Sequence, residues 1–324
     1  MSKSRPWRMK PELPFLLFLS SALVAYLALL LALVAANVVS VSLTDLVAVL
    51  KDPAILRSIR LTFLTCTATA ILSILIAVPI GYLMSRFRFP GRSLIDTVLD
   101  IPILLPPLIV GLSLLILFNR MTPSALLLIL GVVLSACCVV VLFFGKIKSL
   151  GLLGMGIAVI LLWAGLAGMN RPGSIESFFS EKLGLPFTFQ PLGVILAQLP
   201  VAAAFAIRMI RTTFDQISPR YEAVALTLGC NRGQAFSRVT LPLAGRGILA
   251  AGTMAWARAL GEFGPVLVFA GATRGRTEVL STSVFLEINT GNLAGAAAIS
   301  LLMIFLAIVT LLAVRFFSQH SFHS

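Results

Sequence analysis

The sequence predicts an all-α polytopic membrane protein with about eight transmembrane helices. Its 324 residues are 59% hydrophobic and only 11% charged, with a mean hydropathy of +1.03, which lies outside the range of soluble domains. Uncharged apolar runs of about twenty residues recur along the chain, the length that a helix needs to cross a bilayer core. The net charge of +13 then indicates membrane topology rather than nucleic-acid binding.

The first apolar run follows a basic segment, as the core of a signal peptide does. The run from Leu13 to Val39 is too long for a signal core and lacks a clear small-residue cleavage site, so we interpret it as a retained membrane helix. An even number of spans places both termini on one side. The predicted spans are 13–36, 61–85, 101–118, 124–144, 150–169, 191–207, 247–271 and 294–314.

The distribution of Lys and Arg predicts which side is cytoplasmic. With the stretch 208–246 inside, sixteen basic residues lie on the cytoplasmic side and eight on the outer side. Cytoplasmic loops of membrane proteins carry the excess of Lys and Arg. We therefore expect a multi-pass protein, embedded in lipid, with both termini cytoplasmic.

The second and third spans contain residues that break helices. Such residues are tolerated within a membrane where neighbouring helices or a water path satisfy the freed backbone groups. Packing kinks and a pore-lining role both explain them, and the sequence leaves the two open. The residues are Pro79, Gly81, Pro102, Pro106, Pro107 and Gly111.

The longest hydrophilic stretch, 208–246, is predicted to be a cytoplasmic loop with two short helices. Ser218 and Pro219 are typical of a helix start, and Gly229 of the left-handed residue that follows a helix. Apolar residues of this first helix recur at i, i+3, i+4 and i+7 and predict a stripe along one face. They are Tyr221, Val224, Ala225 and Leu228.

The second helix of this loop is predicted to begin at an Asn cap. Asn231 and Gln234 have the spacing of a capping box, and Pro242 is expected to end the helix. Phe236 and Val239 continue the apolar stripe. Helices this short are marginal in water, so their apolar faces need a surface to pack against. That surface is either the protein's own membrane domain or a partner.

The loop resembles the signature loop of permease subunits of bacterial ABC importers. That motif begins with Glu-Ala-Ala, followed after three residues by Gly. Nine residues later come a branched aliphatic residue, any residue and Leu-Pro. Nine residues separate Gly229 from Val239-Thr240-Leu241-Pro242, so the second half matches. In the first half Ala223 holds the acidic position, Glu222 lies one residue earlier, and Val224-Ala225 replaces the Ala-Ala pair. The resemblance implies docking to a cytoplasmic ATPase through Tyr221, Glu222, Ala223, Val224, Ala225, Leu228, Gly229, Phe236, Val239, Leu241 and Pro242.

The seventh span contains two opposite charges, Arg258 and Glu262. Each alone would cost about 2.5–3.5 kcal/mol on membrane-insertion scales. Spacing of i and i+4 puts them on one helical face, where they can neutralise each other. Either this is a self-satisfied structural pair, which we favour, or it lines an anion path or gate. The neighbouring candidates for a pore or gate are Gly261, Phe263, Gly264 and Pro265.

The run from Trp256 to Gly264 narrows the resemblance. It is similar to permeases of the molybdate, tungstate and sulfate group, most of all to molybdate-type permeases. The resemblance implies an ABC type I importer-like core with an extra helix pair, because six-helix relatives lack 120–190. The implied divisions are a cytoplasmic segment 1–12, core 13–119 with three membrane helices, inserted pair and outer loop 120–190, core 191–317 with coupling loop 208–246, and cytoplasmic tail 318–324.

The resemblance also implies the partners and a location in a bacterial-type inner membrane. Two permease copies, expected to be a homodimer, form the pore for an oxyanion, an ABC ATPase dimer docks below, and an external solute-binding protein delivers the substrate. The chain has no Walker A sequence, so ATP and Mg²⁺ are expected on the ATPase. No catalytic residues, metal site or cofactor are predicted for this chain. The alternative is an ion-coupled secondary transporter that uses Arg258 and Glu262.

Overall fold

A computed structural model describes residues 13–89, 91–144, 148–168 and 173–320, and these residues form helices without strands. The all-α polytopic prediction is confirmed. The first helices are α1 (Leu13–Val39), α2 (Leu43–Lys51), α3 (Pro53–Arg86), α4 (Arg92–Leu104), α5 (Pro107–Arg120), α6 (Pro123–Phe144), α7 (Lys148–Ala167) and α8 (Ile175–Leu183). The remainder are α9 (Pro191–Gln216), α10 (Arg220–Thr227), α11 (Arg232–Ala235), a π-helical turn (Phe236–Thr240), α12 (Leu241–Leu260), α13 (Gly264–Phe269), α14 (Leu280–Asn289) and α15 (Leu293–His320).

Four helices of the described residues are long and apolar enough to cross a membrane, namely α1, α3, α9 and α15. The bent pair α4 and α5 would make a fifth span. The count of eight therefore stays a prediction. The predicted segment 1–12 and residues 321–324 of the predicted tail lie outside the described residues, and 318–320 belong to α15 rather than to a tail.

The third predicted span, 101–118, is broken at the helix-breaking prolines that its sequence contains. Helices α4 and α5 meet there at an angle of 106°. The cause is the pair Pro106 and Pro107, because proline lacks the N–H that a continuing helix needs and forces the preceding residue into an extended conformation. Leu105 and Pro106 accordingly have ψ values of 140° and 132°.

Helix α9 continues past the predicted span 191–207 to Gln216, so the predicted loop 208–246 begins with helical residues. The seventh predicted span, 247–271, is also not continuous, because α12 ends at Leu260 and α13 begins at Gly264.

The core of the molecule lies where α3, α9 and α12 pack together. Its buried residues are mostly alanines, such as Ala77, Ala206 and Ala255. A Cβ on Gly81 would lie 2.9 Å from the side chain of Ile210. Small residues let helix backbones approach closely, which is how membrane helices gain packing energy without a hydrophobic driving force between them.

Helices α6 and α7 pack chiefly against each other. Gly131 faces Leu162 and Gly165 faces Leu128, with no room for a Cβ on either glycine. Helix α8 follows and contacts α5, and the carboxylate of Glu176 accepts hydrogen bonds from two backbone N–H groups of the next loop. That 120–190 is an insertion at the periphery of the fold stays a prediction.

Two glycines of α12 provide a matched test of this packing. A Cβ on Gly247 would clash with the side chain of Thr213 on α9, whereas Gly245 has open space around it. We expect Gly247→Ala to destabilise the protein by about 1–3 kcal/mol through overpacking. Gly245→Ala should be neutral or slightly stabilising, because alanine is the better helix former. Thermal unfolding in detergent measures both, and equal melting temperatures for the two variants would contradict the close α9–α12 packing.

Candidate functional site

The loop between α9 and α12 has the local structure that its sequence predicts. Gly229 has a φ of +89°, in the left-handed region, and separates α10 from α11. Asn231 and Gln234 form the predicted capping box, with distances of 2.8 and 2.9 Å. At the start of α10 the Ser218 hydroxyl accepts from the N–H of Arg220 at 3.4 Å. The helix thus begins one residue later than the pattern suggests.

Pro242 does not end the second helix, contrary to the prediction. The chain stays helical from α11 through the π-helical turn into α12, and Pro242 lies in the first turn of α12. Proline is tolerated in the first turn of a helix, and the wider hydrogen-bond spacing of the π turn just before it marks the change. The second half of the loop is therefore continuous with a core helix.

The apolar stripe of α10 is mostly exposed. Tyr221 and Val224 are each 57% exposed and Leu228 is 79% exposed, whereas Ala225 is buried against the rest of the loop. Ala223 is also exposed. Because neighbouring large apolar side chains on an exposed face mark a contact surface, this face has the character of a docking site.

The second half of the loop packs onto the membrane domain instead. The Phe236 ring lies 4.5 Å from that of Tyr82 on α3 and 6.3 Å from that of Phe214 on α9. Val239 and Leu241 are half-buried, and Pro242 is exposed. The second half of the apolar stripe therefore packs on the protein's own membrane domain, whereas the half on α10 remains mostly exposed.

The carboxylate of Glu222 ties the loop to α3. It accepts hydrogen bonds from Arg86 Nε at 2.8 Å, Tyr82 Oη at 2.9 Å and Thr240 Oγ1 at 2.8 Å. The Arg86 guanidinium also donates to the carbonyl of Ile217 at 2.9 Å. Burial raises the pKa of Glu222, but the hydrogen bonds from Thr240, Arg86 and Tyr82 and the charge of Arg86 outweigh it and hold that pKa below its ordinary value. Glu222 is therefore the acidic anchor of the loop.

Arg258 and Glu262 form the ion pair that their spacing predicts. Arg258 Nη2 lies 3.0 Å from Glu262 Oε1, and their side chains are 32% and 1% exposed. The Arg258 guanidinium also lies over the ring of Phe205 on α9, 5.7 Å from its centre. One partner is thus fully buried, and the other remains partly accessible beside an aromatic ring.

The pair lies where α12 breaks. Gly261 is exposed and Phe263 packs against Phe285 of α14 at 5.3 Å, while the Ser281 hydroxyl donates to the backbone carbonyl of Glu262 at 3.0 Å. Side-chain and tertiary contacts thus satisfy the backbone at the break, as irregular backbone at membrane depth requires.

The break in α12–α13 touches the bend between α4 and α5. A Cβ on Gly264 would lie 3.1 Å from Pro107, and one on Gly111 would lie 2.7 Å from the Cα of Pro265. Only glycine permits so close an approach of two backbones. The structure thus brings the irregularities of the third and seventh predicted spans together.

The sequence reasoning missed one group of charged side chains. Asp96 and Asp100 of α4 pair with Arg211 and Arg208 of α9, the second pair at 2.7 Å. The i, i+4 spacing of the aspartates on a short amphipathic helix was the available signal. It was not used because α4 was not predicted as a separate helix.

Sequence comparison identifies relatives across most of the chain. The family described as "binding-protein-dependent transport system inner membrane component" matches residues 77–322. The molybdate/tungstate transport system permease protein WtpB of Thermococcus kodakarensis is 29% identical over 78% of this chain and 75% of its own length. The Escherichia coli molybdenum permease ModB is 28% identical over 82% of this chain and 93% of its own length, and the Escherichia coli sulfate permease CysT is 24% identical over 82% and 78%.

Solved structures share the fold. A chain of a bacterial alginate ABC transporter, crystallised in complex with an alginate pentasaccharide-bound periplasmic protein, superposes with a TM-score of 0.63 at 16% identity. The alignment covers 96% of this chain and 94% of that chain. A second structure, of a bacterial ABC transporter for import of the acidic polysaccharide alginate, gives a TM-score of 0.61.

The Glu222 contacts predict how firmly the loop is held. Glu222→Gln should loosen the loop by about 1 kcal/mol, since hydrogen bonds to a charged, partly exposed carboxylate become neutral ones. The folded pKa of Glu222 is lowered, so its contribution is fully present at neutral pH and is lost only as the pH falls through that lowered pKa. At pH 7 we expect trypsin to cleave at Arg220 or Arg232 roughly fivefold faster in the variant. Glu181→Gln, at an exposed carboxylate of α8, is the control, and unchanged cleavage in Glu222→Gln would contradict the anchoring role.

The Arg258–Glu262 pair predicts that single substitutions are worse than the double one. Removing one partner of a buried pair costs about 3–5 kcal/mol of folding free energy, and replacing both is often near neutral. Because Arg258 is partly exposed, we expect losses at the low end of that range for the single variants. Thermal stability in detergent of Arg258→Ala, Glu262→Ala and the double variant measures this. Additive losses would rule out a direct interaction. A double variant that folds and fails to transport would assign the pair to the pore.

Proposed function

The chain belongs to the family of binding-protein-dependent transport system inner membrane components, and on that premise we propose how it works as the permease subunit of a type I ABC importer. The proposal is that it forms the pore for a tetrahedral oxyanion and is driven by a separate ATPase that docks on the loop between α9 and α12. The single observation that carries the proposal is the exposed apolar face of α10, whose Glu222 is hydrogen-bonded to α3.

The shape and chemistry of α10 suit docking to a cytoplasmic ATPase. Tyr221, Val224 and Leu228 offer apolar contact area, and Tyr is enriched at the energetic centres of protein interfaces. Because the other half of the loop is packed against α3 and α9, a force on α10 is transmitted to the membrane helices. The ATPase would supply ATP hydrolysis and Mg²⁺.

The relatives support an oxyanion as the substrate. Their names refer to molybdate, tungstate and sulfate, which are tetrahedral oxyanions. Arg258 lies at the break of α12 and is about one-third exposed. A partly accessible guanidinium in a spanning segment is a candidate for the anion path. Glu262, Gly261, Phe263, Gly264 and Pro265 would then shape this region of the pore, as an alternative to a purely structural ion pair.

The remaining partners follow from the same family. One solved relative of the same fold is complexed with a periplasmic protein, which supports delivery of substrate by an external binding protein. We propose that two copies of this chain surround the pore in the inner membrane, with both termini in the cytoplasm. Closure of the ATPase dimer would move α10 and shift the pore between inward-facing and outward-facing arrangements.

An ion-coupled secondary transporter that uses Arg258 and Glu262 stays the alternative. It makes a different prediction about partners, because ion coupling needs no ATPase. A binding experiment distinguishes the importer permease from the secondary transporter. Purified protein is captured on a resin and incubated with the ATPase subunit of the same source, and only an importer permease should retain the ATPase.

A pair of glycines tests the docking loop. Gly229 and Gly291 have φ values of +89° and +77°, and both have open space around the position of a Cβ. Valine in this conformation costs about 1–3 kcal/mol, so both Val variants bear a similar strain. We expect Gly229→Val to lose retention of the ATPase while still inserting into the membrane. Gly291→Val, between α14 and α15, should retain the ATPase as the wild type does.

The measurement is the amount of ATPase bound to each permease variant on the resin. Retention by Gly229→Val at the wild-type level would contradict docking through this loop. Loss of retention by both variants would mean that strain alone, and not the position of the glycine, explains the effect.

A further inference from the structure

Helix α4 is attached to the rest of the protein chiefly through α9. It is a 13-residue helix whose first residue follows a left-handed glycine, Gly91, and whose N-terminus has no side-chain cap. One face is exposed and apolar, with Leu94 and Leu104 at 70% and 77% exposure. The contacts that fix its position are therefore those with α9.

Those contacts include the packing of Leu99 on the core and two ion pairs in register. Asp96 and Asp100 lie one helical turn apart on α4, and Arg211 and Arg208 lie at the matching spacing on α9. Because both pairs must form together, they specify a single axial position of α4 along α9. A shift of α4 by one turn would leave one aspartate and one arginine without partners.

Polar contacts also connect the ion pairs to α3, the helix to which the loop is anchored. Arg211 also lies 3.9 Å from Asp215 of α9, and the Ser85 hydroxyl of α3 donates to Asp215 at 2.6 Å. Arg86, next to Ser85, holds Glu222 of the loop. Two sets of polar contacts, linked through the neighbouring residues Ser85 and Arg86 of α3, thus connect α4 to the base of the docking loop.

At its other end α4 is joined to the break in α12–α13. The bend at Pro106 and Pro107 connects α4 to α5, and α5 packs closely against α13 through Gly111. A movement of α4 along α9 would therefore displace α5 against the segment next to Arg258 and Glu262.

There is also space beside the pairs. A cavity of about 100 Å³ is lined by residues of α3, α4 and α9, so the helices are not close-packed around the ion pairs. Besides the four charged side chains, the cavity is lined by Met84, Leu99, Ala204 and Ile207.

From these contacts we infer that α4 transmits movement of the docking loop to the broken helix α12–α13, and that Asp96 and Asp100 are the residues that position α4. The inference rests on the proposed function. Partly exposed ion pairs contribute little to folding free energy; Arg208 and Arg211 are 60% and 27% exposed. Their main effect is then on the axial position of α4 along α9, which transport requires but folding stability does not.

The test compares transport with docking in the reconstituted complex. Asp96→Asn combined with Asp100→Asn removes both negative charges and keeps the side-chain size. Asp100→Arg combined with Arg208→Asp exchanges the charges of one pair and keeps the attraction. Glu181→Gln, at the exposed carboxylate of α8, is the control. Proteoliposomes carrying permease, ATPase and binding protein are assayed for uptake of molybdate and of sulfate, for ATP hydrolysis, and for ATPase retention.

The expected result is a loss of coupling without loss of assembly. The double Asn variant should take up anion about tenfold more slowly per ATP hydrolysed, the size of a typical coupling free energy between sites. Its ATPase retention and melting temperature should match those of the wild type. The charge-exchange variant should keep much of the wild-type uptake, because the attraction between residues 100 and 208 is preserved.

Three results would overturn the inference. Wild-type uptake per ATP in the double Asn variant would show that the ion pairs do not transmit movement. A parallel loss of melting temperature, retention and uptake would make their role structural only. A charge exchange that folds and still fails to transport would show that the pairing itself is not the requirement. Failure of the wild type to retain the ATPase is a separate result, and it overturns the proposed function together with this inference.

Discussion

The hydrogen-bonded carboxylate of Glu222 is the contact on which the architecture of the polar loop depends. Three side chains from α3 and from the π-helical turn donate to it, and the same Arg86 holds the carbonyl that ends α9. Isolated helices as short as α10 and α11 would not persist in water. Because Glu222 and Phe236 fix one side of the loop to the membrane domain, the opposite side can present large apolar residues without collapsing onto its own core.

Helix breaks provide the second constraint. Proline at positions 106 and 107 and glycine at 261 and 264 would weaken any single membrane helix. The structure places these two weak points against each other, where Gly111 and Gly264 allow backbone contact, and it satisfies the freed carbonyl of Glu262 with Ser281. Two discontinuous helical segments thus contact each other beside the packed α3–α9–α12 bundle.

Several charged side chains of the described residues form ion pairs. Arg258 neutralises Glu262 beside the break, Arg86 neutralises Glu222 beneath the loop, and the aspartates of α4 meet the arginines of α9. Removing a charge from water is costly, so the buried carboxylates of Glu262 and Glu222 each have a partner. Polar contacts, together with the apolar packing of Leu99 and Phe236, determine how α4 and the loop sit on the bundle.

The sequence by itself determined the elements whose causes are local. Composition and apolar length predict a helical membrane protein, cap residues predict the turn at Gly229 and the capping box of Asn231, and i, i+4 spacing predicts the Arg258–Glu262 pair. Only the tertiary structure decided that Pro106 turns the chain by 106°, that Glu222 anchors the loop, that the α10 stripe is exposed, and that Asp96 and Asp100 meet Arg211 and Arg208. These contacts join residues far apart in the chain, and their geometry depends on how helices pack rather than on the spacing within any one of them.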